Sequence, residues 1–411
     1  MPSRLKVSIV TLSACFAAVL LAGALAGGDT GDEGAYRQMK VFTEVLQRIK
    51  SEYVEEPDLK SVTLGALNGL LESIDPFASY LNTDQFKLYQ KQKDSAMADV
   101  GLVLAKRYGY VTIVSALPGS PAAKAGLATG DLIESIKGVA TRDMPLAYAE
   151  ILLKGEPGSK IGLTLLRMRS PEPQTVELTR AVVSVPLVTA RMLPDGIGYI
   201  RPHTLASGKA KEVAAAIAGL EKQGAKGLVL DLRHCATGES EEGIALASLF
   251  LESGLVTYLQ GQRFERKDYL ADPARQITRL PLVVTTNRGT ADGAEIAAAA
   301  LLENKRAEVV GERTFGDAAL RRPITMDDGG AIILSIAKYH SPQGKAIQDT
   351  GVVPSVPFVE AEPFLEEPEE ETPERPRVPE TERRPEEDNL LKKAIEVLTK
   401  SAPQTAGVVA R

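Results

Sequence analysis

The sequence predicts a multidomain α/β protein. Its 411 residues are enough for two or three domains, and 44% of them are hydrophobic against 25% charged, an ordinary globular composition. Residues 35–95 have a helical pattern, whereas residues 96–170 combine short β-rich pieces with glycine and proline turns. Residues 186–357 alternate strands with helices, which is typical of a layered α/β domain.

The first 28 residues are typical of an export signal. Two basic residues precede an uncharged apolar run over residues 7–26, and residues 24–26 have the A-x-A pattern of a cleavage site. The run is also about 20 residues long, so a retained membrane anchor stays open as the alternative. We therefore expect an exported protein, either periplasmic or anchored to the outer face of the inner membrane. Removal of the signal would leave Cys235 as the only thiol, so no disulfide is expected.

Elements of the two folded regions follow from local patterns. In residues 96–170 we predict three strands and one helix, Pro145 to Leu153, in the spacing of a small partly open barrel. In residues 186–357 the predicted strands and helices alternate, and residues 227–232 are predicted to form a buried apolar strand. The strands are expected at 111–114, 132–136, 161–166, 196–200, 227–232, 281–285 and 307–310, and the core helices at 208–223, 241–251 and 291–303.

The acidity of the chain belongs to one segment. The net charge is −6, yet residues 360–388 hold 13 acidic and 4 basic residues, which leaves about +3 elsewhere. The overall balance of 48 basic and 54 acidic residues argues against a dedicated nucleic-acid-binding protein, so no nucleic-acid partner is expected. Residues 359–388 are rich in glutamate and proline, and we predict a solvated linker. After it, Asp388 and Asn389 are predicted to cap a last helix over residues 389–400.

Several motifs resemble those of the carboxy-terminal processing peptidases. Residues 118–133 carry S-P-A and then G-D-L-I, similar to the signature of a PDZ domain. D-P-F-A-S-Y at residues 75–80, L-D-L-R at residues 230–233 and Y-H-S-P-Q-G-K-A-I-Q at residues 339–348 occur in the order found in that family. The resemblance runs from about Tyr36 to Leu398.

The resemblance implies an exported Ser/Lys serine endopeptidase with N-terminal helices, a PDZ domain and a crotonase-like α/β core. In this family the PDZ domain captures substrate C-termini, so the implied partners are C-terminal segments of exported proteins. Such a peptide adds a strand to a sheet edge while backbone N–H groups hold its carboxylate. The matching loop is Asp99-Val100-Gly101-Leu102, and Asp99 introduces an anion where the family has glycine. Either Asp99 disturbs the loop or it points to solvent and the loop still binds.

The catalytic pair of the family is absent from this sequence. The resemblance places Asp292 at the nucleophile position, Asp317 at the position of the general-base lysine and Arg321 at the supporting glutamine. No serine occurs between Ser253 and Ser335, so no small shift of the alignment restores one. A carboxylate does not supply the same nucleophile, and it is a weak base unless strongly perturbed. The matching oxyanion-loop residues are Thr237, Gly238 and Gly293.

Three alternatives remain for these substitutions. In the first alternative the former catalytic site has no chemical role, and Arg321 neutralises the charges of Asp317 and Asp292. Otherwise the two aspartates bind a divalent cation or share a proton. In the third alternative hydrolysis uses other side chains, Cys235 as nucleophile with His234, His203 or His340 as base. No cofactor is expected, and the spacing of the three histidines predicts no metal cluster.

The favoured hypothesis is an exported pseudopeptidase that binds protein C-termini as a scaffold or as a regulator of an active paralogue. The alternative is an active serine-type or rewired endopeptidase that cleaves proteins near their C-termini. The N-terminal helices resemble the region that pairs subunits in this family, so a homodimer is expected.

Overall fold

The computed structural model describes residues 30–93, 97–107, 109–142, 144–167, 170–359 and 388–401. The predicted signal or anchor over residues 1–28 and nearly all of the predicted acidic linker lie outside the described residues. Among the described helices, none combines the length and the apolar character that a membrane span requires.

The chain divides into two units, with a boundary after Ala66. The described part of the first unit holds α1 (Thr30–Glu52) and the start of α2 (Leu59–Glu72). Apolar residues recur along α1 at steps of three and four, which makes this helix amphipathic. Asp58 caps α2, because its carboxylate accepts hydrogen bonds from the Lys60 backbone N–H and the Ser61 hydroxyl.

The second unit begins with the end of α2, strand β1 (Ser79–Leu81) and helix α3 (Thr83–Lys93). Strand β1 lies at the end of residues 74–80, the Asp-Pro segment that interrupts the helical pattern of residues 35–95, and the strand itself was not predicted. This short strand pairs with a strand some 250 residues later in the chain, Ser79 opposite Ile333, and local periodicity carries no signal of such a partner.

A small antiparallel sheet follows. Its strands pair in the order β2-β3-β4-β6-β7, with β5 on the side of β4. The predicted helix 145–153 is present, and the N-cap Ser120 begins a second, one-turn helix. The elements are β2 (Leu102–Arg107), β3 (Tyr110–Ala116), α4 (Pro121–Lys124), β4 (Leu132–Ile136), β5 (Val139–Ala140), α5 (Leu146–Leu153), β6 (Lys160–Arg167) and β7 (Ser170–Thr179).

The predicted boundary of this region at residue 170 falls at the start of a strand. Strand β7 pairs with β6 along its length, from Lys160 opposite Thr179 to Arg167 opposite Ser170. A bridge between Asp99 and Ala181 then ties the chain beyond β7 to the start of the region. The sheet therefore extends past residue 170, because the pairing of two strands is not visible in either strand alone.

The core contains a mainly parallel sheet in the order β17-β14-β13-β10-β9-β8, with β8 antiparallel at one edge. Alternate residues of β10 face opposite sides: Leu228 and Leu230 pack with α6, α7 and α8, and Val229 packs with α9. The elements are β8 (Thr189–Leu193), β9 (Ile197–Arg201), α6 (Lys209–Lys222), β10 (Gly227–Asp231), α7 (Ser240–Ser248), β13 (Leu282–Thr286), α8 (Gly293–Glu303), β14 (Glu308–Gly311), β17 (Val356–Pro357) and α9 (Asn389–Ser401).

A second core sheet was not predicted. It has the order β1-β16-β11-β12, with β15 also paired to β16. Strands β12 and β15 are largely exposed and polar, so they lack the apolar signal that revealed the buried strands. The remaining elements are β11 (Leu255–Gly261), β12 (Phe264–Leu270), β15 (Ala319–Thr325) and β16 (Ala331–His340).

The predicted mixed α/β class, with N-terminal helices, a small β-rich domain and an α/β core, is confirmed by this architecture.

Candidate functional site

Asp292 lies in the turn that follows β13 and precedes α8. Its backbone has φ 50° and ψ −123°, a conformation that costs about 1–3 kcal/mol for a residue with a side chain. A sharp strand-to-helix turn of this kind is how hydrolases present a catalytic nucleophile. In this chain the residue in that turn is an aspartate, which carries a carboxyl group and no hydroxyl.

The carboxyl of Asp292 is half-buried and accepts a 3.0 Å hydrogen bond from the Ser240 hydroxyl. Burial raises its pKa to about 7, and the charge of Asp317 contributes to this rise, whereas Ser240 and Arg321 oppose it. Ser240 is the first residue of α7, 52 positions before Asp292, and no sequence motif connects the two residues.

Asp317 forms an ion pair with Arg321, with 2.5 Å between the carboxylate and Nη2. The same nitrogen donates to the Asp317 carbonyl at 3.0 Å, and the guanidinium lies over the Phe77 ring at 4.0 Å. Burial raises the pKa of Asp317, and Arg321 opposes the rise. Arg321 therefore does pair with Asp317. Asp317 precedes β15 and Arg321 lies within it, so their four-residue separation is not a helical step.

Glu295 joins the turns that carry Asp292 and Asp317. It is fully buried, and its carboxyl accepts from the backbone N–H groups of Asp292 at 3.0 Å and of Asp317 at 2.7 Å. The Gly316 N–H at 2.7 Å and the Thr314 hydroxyl donate to its other oxygen. Burial raises the pKa of Glu295, and these donors oppose that rise. Glu295 stands three residues after Asp292, the spacing of a capping box, and this signal could have identified it from sequence.

The small sheet contacts this site from the other side. Ser115 of β3 donates to the His234 carbonyl at 2.9 Å, and the Arg107 guanidinium lies 4.5 Å from the centre of the Phe315 ring. Glu150 lies on α5 with an exposed side chain. Desolvation of its carboxyl by the neighbouring protein raises its pKa to about 7, and the charges of Asp317 and Asp99 contribute to the rise. The site is thus rich in carboxyl groups, including one that sequence reasoning missed.

The predicted oxyanion loop is held by the segment that follows β9. The Thr237 carbonyl accepts from the Leu205 N–H at 2.7 Å, and its hydroxyl donates to the Thr204 hydroxyl at 3.0 Å. Gly238 has φ 144°, and a Cβ there would lie 2.2 Å from the Leu205 carbonyl carbon. Gly293 starts α8, where a Cβ would lie 2.8 Å from the Glu239 carbonyl oxygen. Both glycines are therefore required by close backbone approach.

The burial of Cys235 argues against hydrolysis with this residue as the nucleophile. The side chain is 1% exposed, and burial raises the pKa of the thiol to about 12, so it is protonated at neutral pH. The adjacent His234 uses both ring nitrogens elsewhere: Asn287 donates to Nε2 at 2.8 Å, and Nδ1 lies 3.1 Å from the Thr129 hydroxyl. Since that hydroxyl donates to the Val114 carbonyl, Nδ1 is the donor to Thr129.

The other two histidines, His203 and His340, also make structural contacts. His203 lies 3.0 Å from the Thr189 hydroxyl, and burial lowers its pKa to about 4. His340 stacks on Tyr258 at 4.5 Å between ring centres, and burial lowers its pKa as well. The divalent-cation alternative also lacks ligands, because the described residues contain no group of three or more candidate metal-binding side chains.

The predicted peptide-binding loop is occupied by its own aspartate. One carboxylate oxygen of Asp99 accepts from the N–H groups of Val100 at 2.5 Å and Gly101 at 3.0 Å. Gly101 has φ 79°, and a Cβ there would lie 2.3 Å from the Ser120 Cβ. Leu102 begins β2 opposite Ala116. Asp99 is half-buried, and its carboxylate turns back onto two backbone N–H groups of the loop, which favours the interpretation that Asp99 disturbs the loop.

Comparisons with known proteins agree with this arrangement. The profile of peptidase family S41 matches residues 196–358, and a PDZ domain profile matches residues 112–167. The carboxy-terminal processing protease CtpA of Bacillus subtilis is 33% identical over 332 residues, which cover 80% of this chain and 69% of that protein. The carboxyl-terminal-processing protease of Synechocystis sp. is 33% identical over 314 residues, 74% of this chain and 73% of that protein.

A solved structure shows the same likeness. That of the photosystem II D1 C-terminal processing protease is 30% identical, with a TM-score of 0.65 over 76% of this chain and 86% of that one. The resemblance noted from the motifs is therefore confirmed over most of the chain.

Proposed function

Because the chain belongs to peptidase family S41, with the carboxy-terminal processing proteases as relatives, we propose that it is a non-hydrolysing member of that family. In this proposal it is exported, and its PDZ domain binds polypeptide segments of exported proteins as a scaffold or as a regulator of an active paralogue. Residues 1–28, which have the pattern of an export signal, support the first part. The substituted catalytic positions support the second.

The observation that carries the proposal is the chemistry at the two catalytic positions. A Ser/Lys pair needs a hydroxyl nucleophile and a lysine that is neutral near pH 7 to take its proton. Here the nucleophile position holds Asp292, which has no hydroxyl to attack a peptide bond and accepts a hydrogen bond from Ser240. The lysine position holds Asp317, whose charge is compensated by Arg321. Loss of the nucleophile alone lowers the rate of such enzymes by about 10⁶-fold.

We expect the purified full chain to leave an unstructured protein with an apolar C-terminus intact, under conditions in which an active family member degrades it. Product would be followed by gel electrophoresis and mass spectrometry of any fragments. A double variant, Asp292→Ser with Asp317→Lys, shows whether the lost pair alone accounts for the inactivity, since the oxyanion loop differs too.

Cleavage by the native chain would contradict the proposal, and two matched variants would locate its source. Ser240 is the hydroxyl bonded to Asp292, a carboxyl with a raised pKa that suits a general base. Cleavage that is lost in Ser240→Ala but kept in Ser253→Ala, an exposed serine, would make Ser240 the nucleophile.

We also propose that the chain forms a homodimer through α1. This helix leaves Tyr36, Met39 and Phe42 exposed at 65%, 65% and 44%, an amount of apolar surface that is unusual on a monomer. With Leu46 and Ile49, the residues Met39 and Phe42 form a stripe at alternating steps of three and four, the pattern of a helix–helix seam.

Multi-angle light scattering of the full chain is expected to give the mass of a dimer, and Phe42→Lys to give that of a monomer. Gln47→Lys, an exposed position outside the stripe, serves as the control and should remain dimeric. A Phe42→Lys variant that keeps the dimer mass would refute the role of α1.

A further inference from the structure

We propose that Asp99 takes the place of a ligand carboxylate in the PDZ loop, so that this domain selects polypeptide segments without a free C-terminal carboxylate. The inference rests on the proposed function, in which the PDZ domain binds polypeptide. It replaces the expectation that the ligands are protein C-termini with a different class of ligand, an extended internal segment.

The first argument is the use of the donors. A PDZ-type loop holds a terminal carboxylate with consecutive backbone N–H groups. In this chain the N–H groups of Val100 and Gly101 both donate to one carboxylate oxygen of Asp99. The site that would attract an external anion is therefore already filled by an internal one.

The second argument is that the backbone holds Asp99 in place. Its N–H and carbonyl form hydrogen bonds of 2.9 and 3.0 Å with Ala181, and the preceding Ala98 pairs in the same way with Gly155. Four backbone hydrogen bonds therefore anchor these two residues. A ligand carboxylate would have to compete with a tethered carboxylate whose effective concentration at the donors is high.

The third argument is the charge around the loop. Arg180, which is 3% exposed, interacts electrostatically with Asp99. Each of its three guanidinium nitrogens already donates to a protein oxygen, including the carbonyls of Leu152 and Leu153 at 2.8 Å. Glu150 adds a second carboxyl that interacts with Asp99. A terminal carboxylate would approach like charges, which is unfavourable in an interface.

One edge of β2 nevertheless carries no paired strand in the described sheet. In the described sheet, β2 pairs with β3 on one side and is the terminal strand on the other. Strand addition uses main-chain hydrogen bonds along this edge and does not require a terminal carboxylate. Asp99 therefore changes which segments fit and leaves the edge itself unchanged.

The test compares two short, fluorescein-labelled peptides of alanine and valine with the same sequence, one ending in a carboxylate and one in an amide. Binding to the full chain would be measured by fluorescence anisotropy. We expect the native chain to bind the amide at least as tightly as the acid. Asp99→Ala should raise the affinity for the acid by about tenfold or more and leave the affinity for the amide unchanged. Glu172→Ala, an exposed carboxylate on β7, is the matched control and should change neither.

The outcomes separate the inference from the proposed function. A native chain that prefers the acid by tenfold, or an Asp99→Ala variant with an unchanged ratio of affinities, would overturn the inference while peptide binding still stands. Binding of neither peptide to either protein would overturn both. Because Asp99→Ala removes two hydrogen bonds, thermal unfolding by circular dichroism would verify its fold, and Asp99→Asn, which keeps the oxygen without the charge, should give an intermediate gain for the acid.

Discussion

Replacing Arg233 by methionine is expected to lower the free energy of unfolding by about 3–5 kcal/mol. Arg233 is 1% exposed, and its guanidinium bonds the carboxylate of Asp231 at 2.7 and 2.9 Å and that of Asp388 at 2.6 and 3.0 Å. Methionine would keep much of the volume but leave Asp388 as a buried charge without its partner. Removal of one member of a buried ion pair is strongly destabilising for this reason.

This pair also attaches the C-terminal helix to the core. Asp388 is the residue before α9, and its carboxylate accepts the Leu391 N–H at 2.8 Å as a helix cap. Asp388→Asn should cost less, about 1–2 kcal/mol, because Arg233 keeps Asp231 and an amide oxygen can still cap the helix.

Since the chain has no tryptophan, urea unfolding would be followed by far-ultraviolet circular dichroism. Lys393→Met, on the same helix at a partly exposed position, is the control and should change stability by less than about 0.5 kcal/mol. A loss below about 1 kcal/mol in Arg233→Met would show that the network is not required for stability.

Glu295→Ala is expected to destabilise the chain by a similar amount, about 3–5 kcal/mol. The substitution would leave four donors without their acceptor in a fully buried place, and each unsatisfied group costs about 1–3 kcal/mol before the structure relaxes. The turns at Asp292 and Asp317 would both lose their common anchor.

The same urea measurement applies, with Glu308→Ala, an exposed position on β14, as the control. If Glu295→Ala and Glu308→Ala lowered the free energy of unfolding by the same small amount, Glu295 would not be the anchor of the turns at Asp292 and Asp317. Glu295→Gln should fall between alanine and the native chain, because one of the two acceptor oxygens becomes an amide donor facing donor groups.

Much of the fold could be predicted from local patterns. The strands around Leu228 and Val283 were recognised because a parallel sheet covered on both faces requires continuous apolar runs, and helices such as 209–222 show their own period. The second core sheet was missed because β12 and β15 are exposed and polar, so burial imposes no pattern on them.

The positions of the candidate site could likewise be predicted from motifs, since Asp292, Asp317 and Arg321 lie in recognisable runs. The hydrogen-bond partners of these side chains could not be predicted. Ser240 meets Asp292 across 52 residues, and Glu295 joins two loops that no motif connects. The direction of the Asp99 carboxylate depends on which N–H groups the folded loop leaves unpaired.

Sequence alone therefore predicted the family and the fold class, which are confirmed, and it led to the hypothesis that the Ser/Lys pair is absent, because each of these is carried by residue identity and local spacing. The tertiary structure decided which charges are paired, which donors are already used and which strands meet. Those properties depend on distances between residues far apart in the chain, such as Arg233 and Asp388, and no local pattern specifies them.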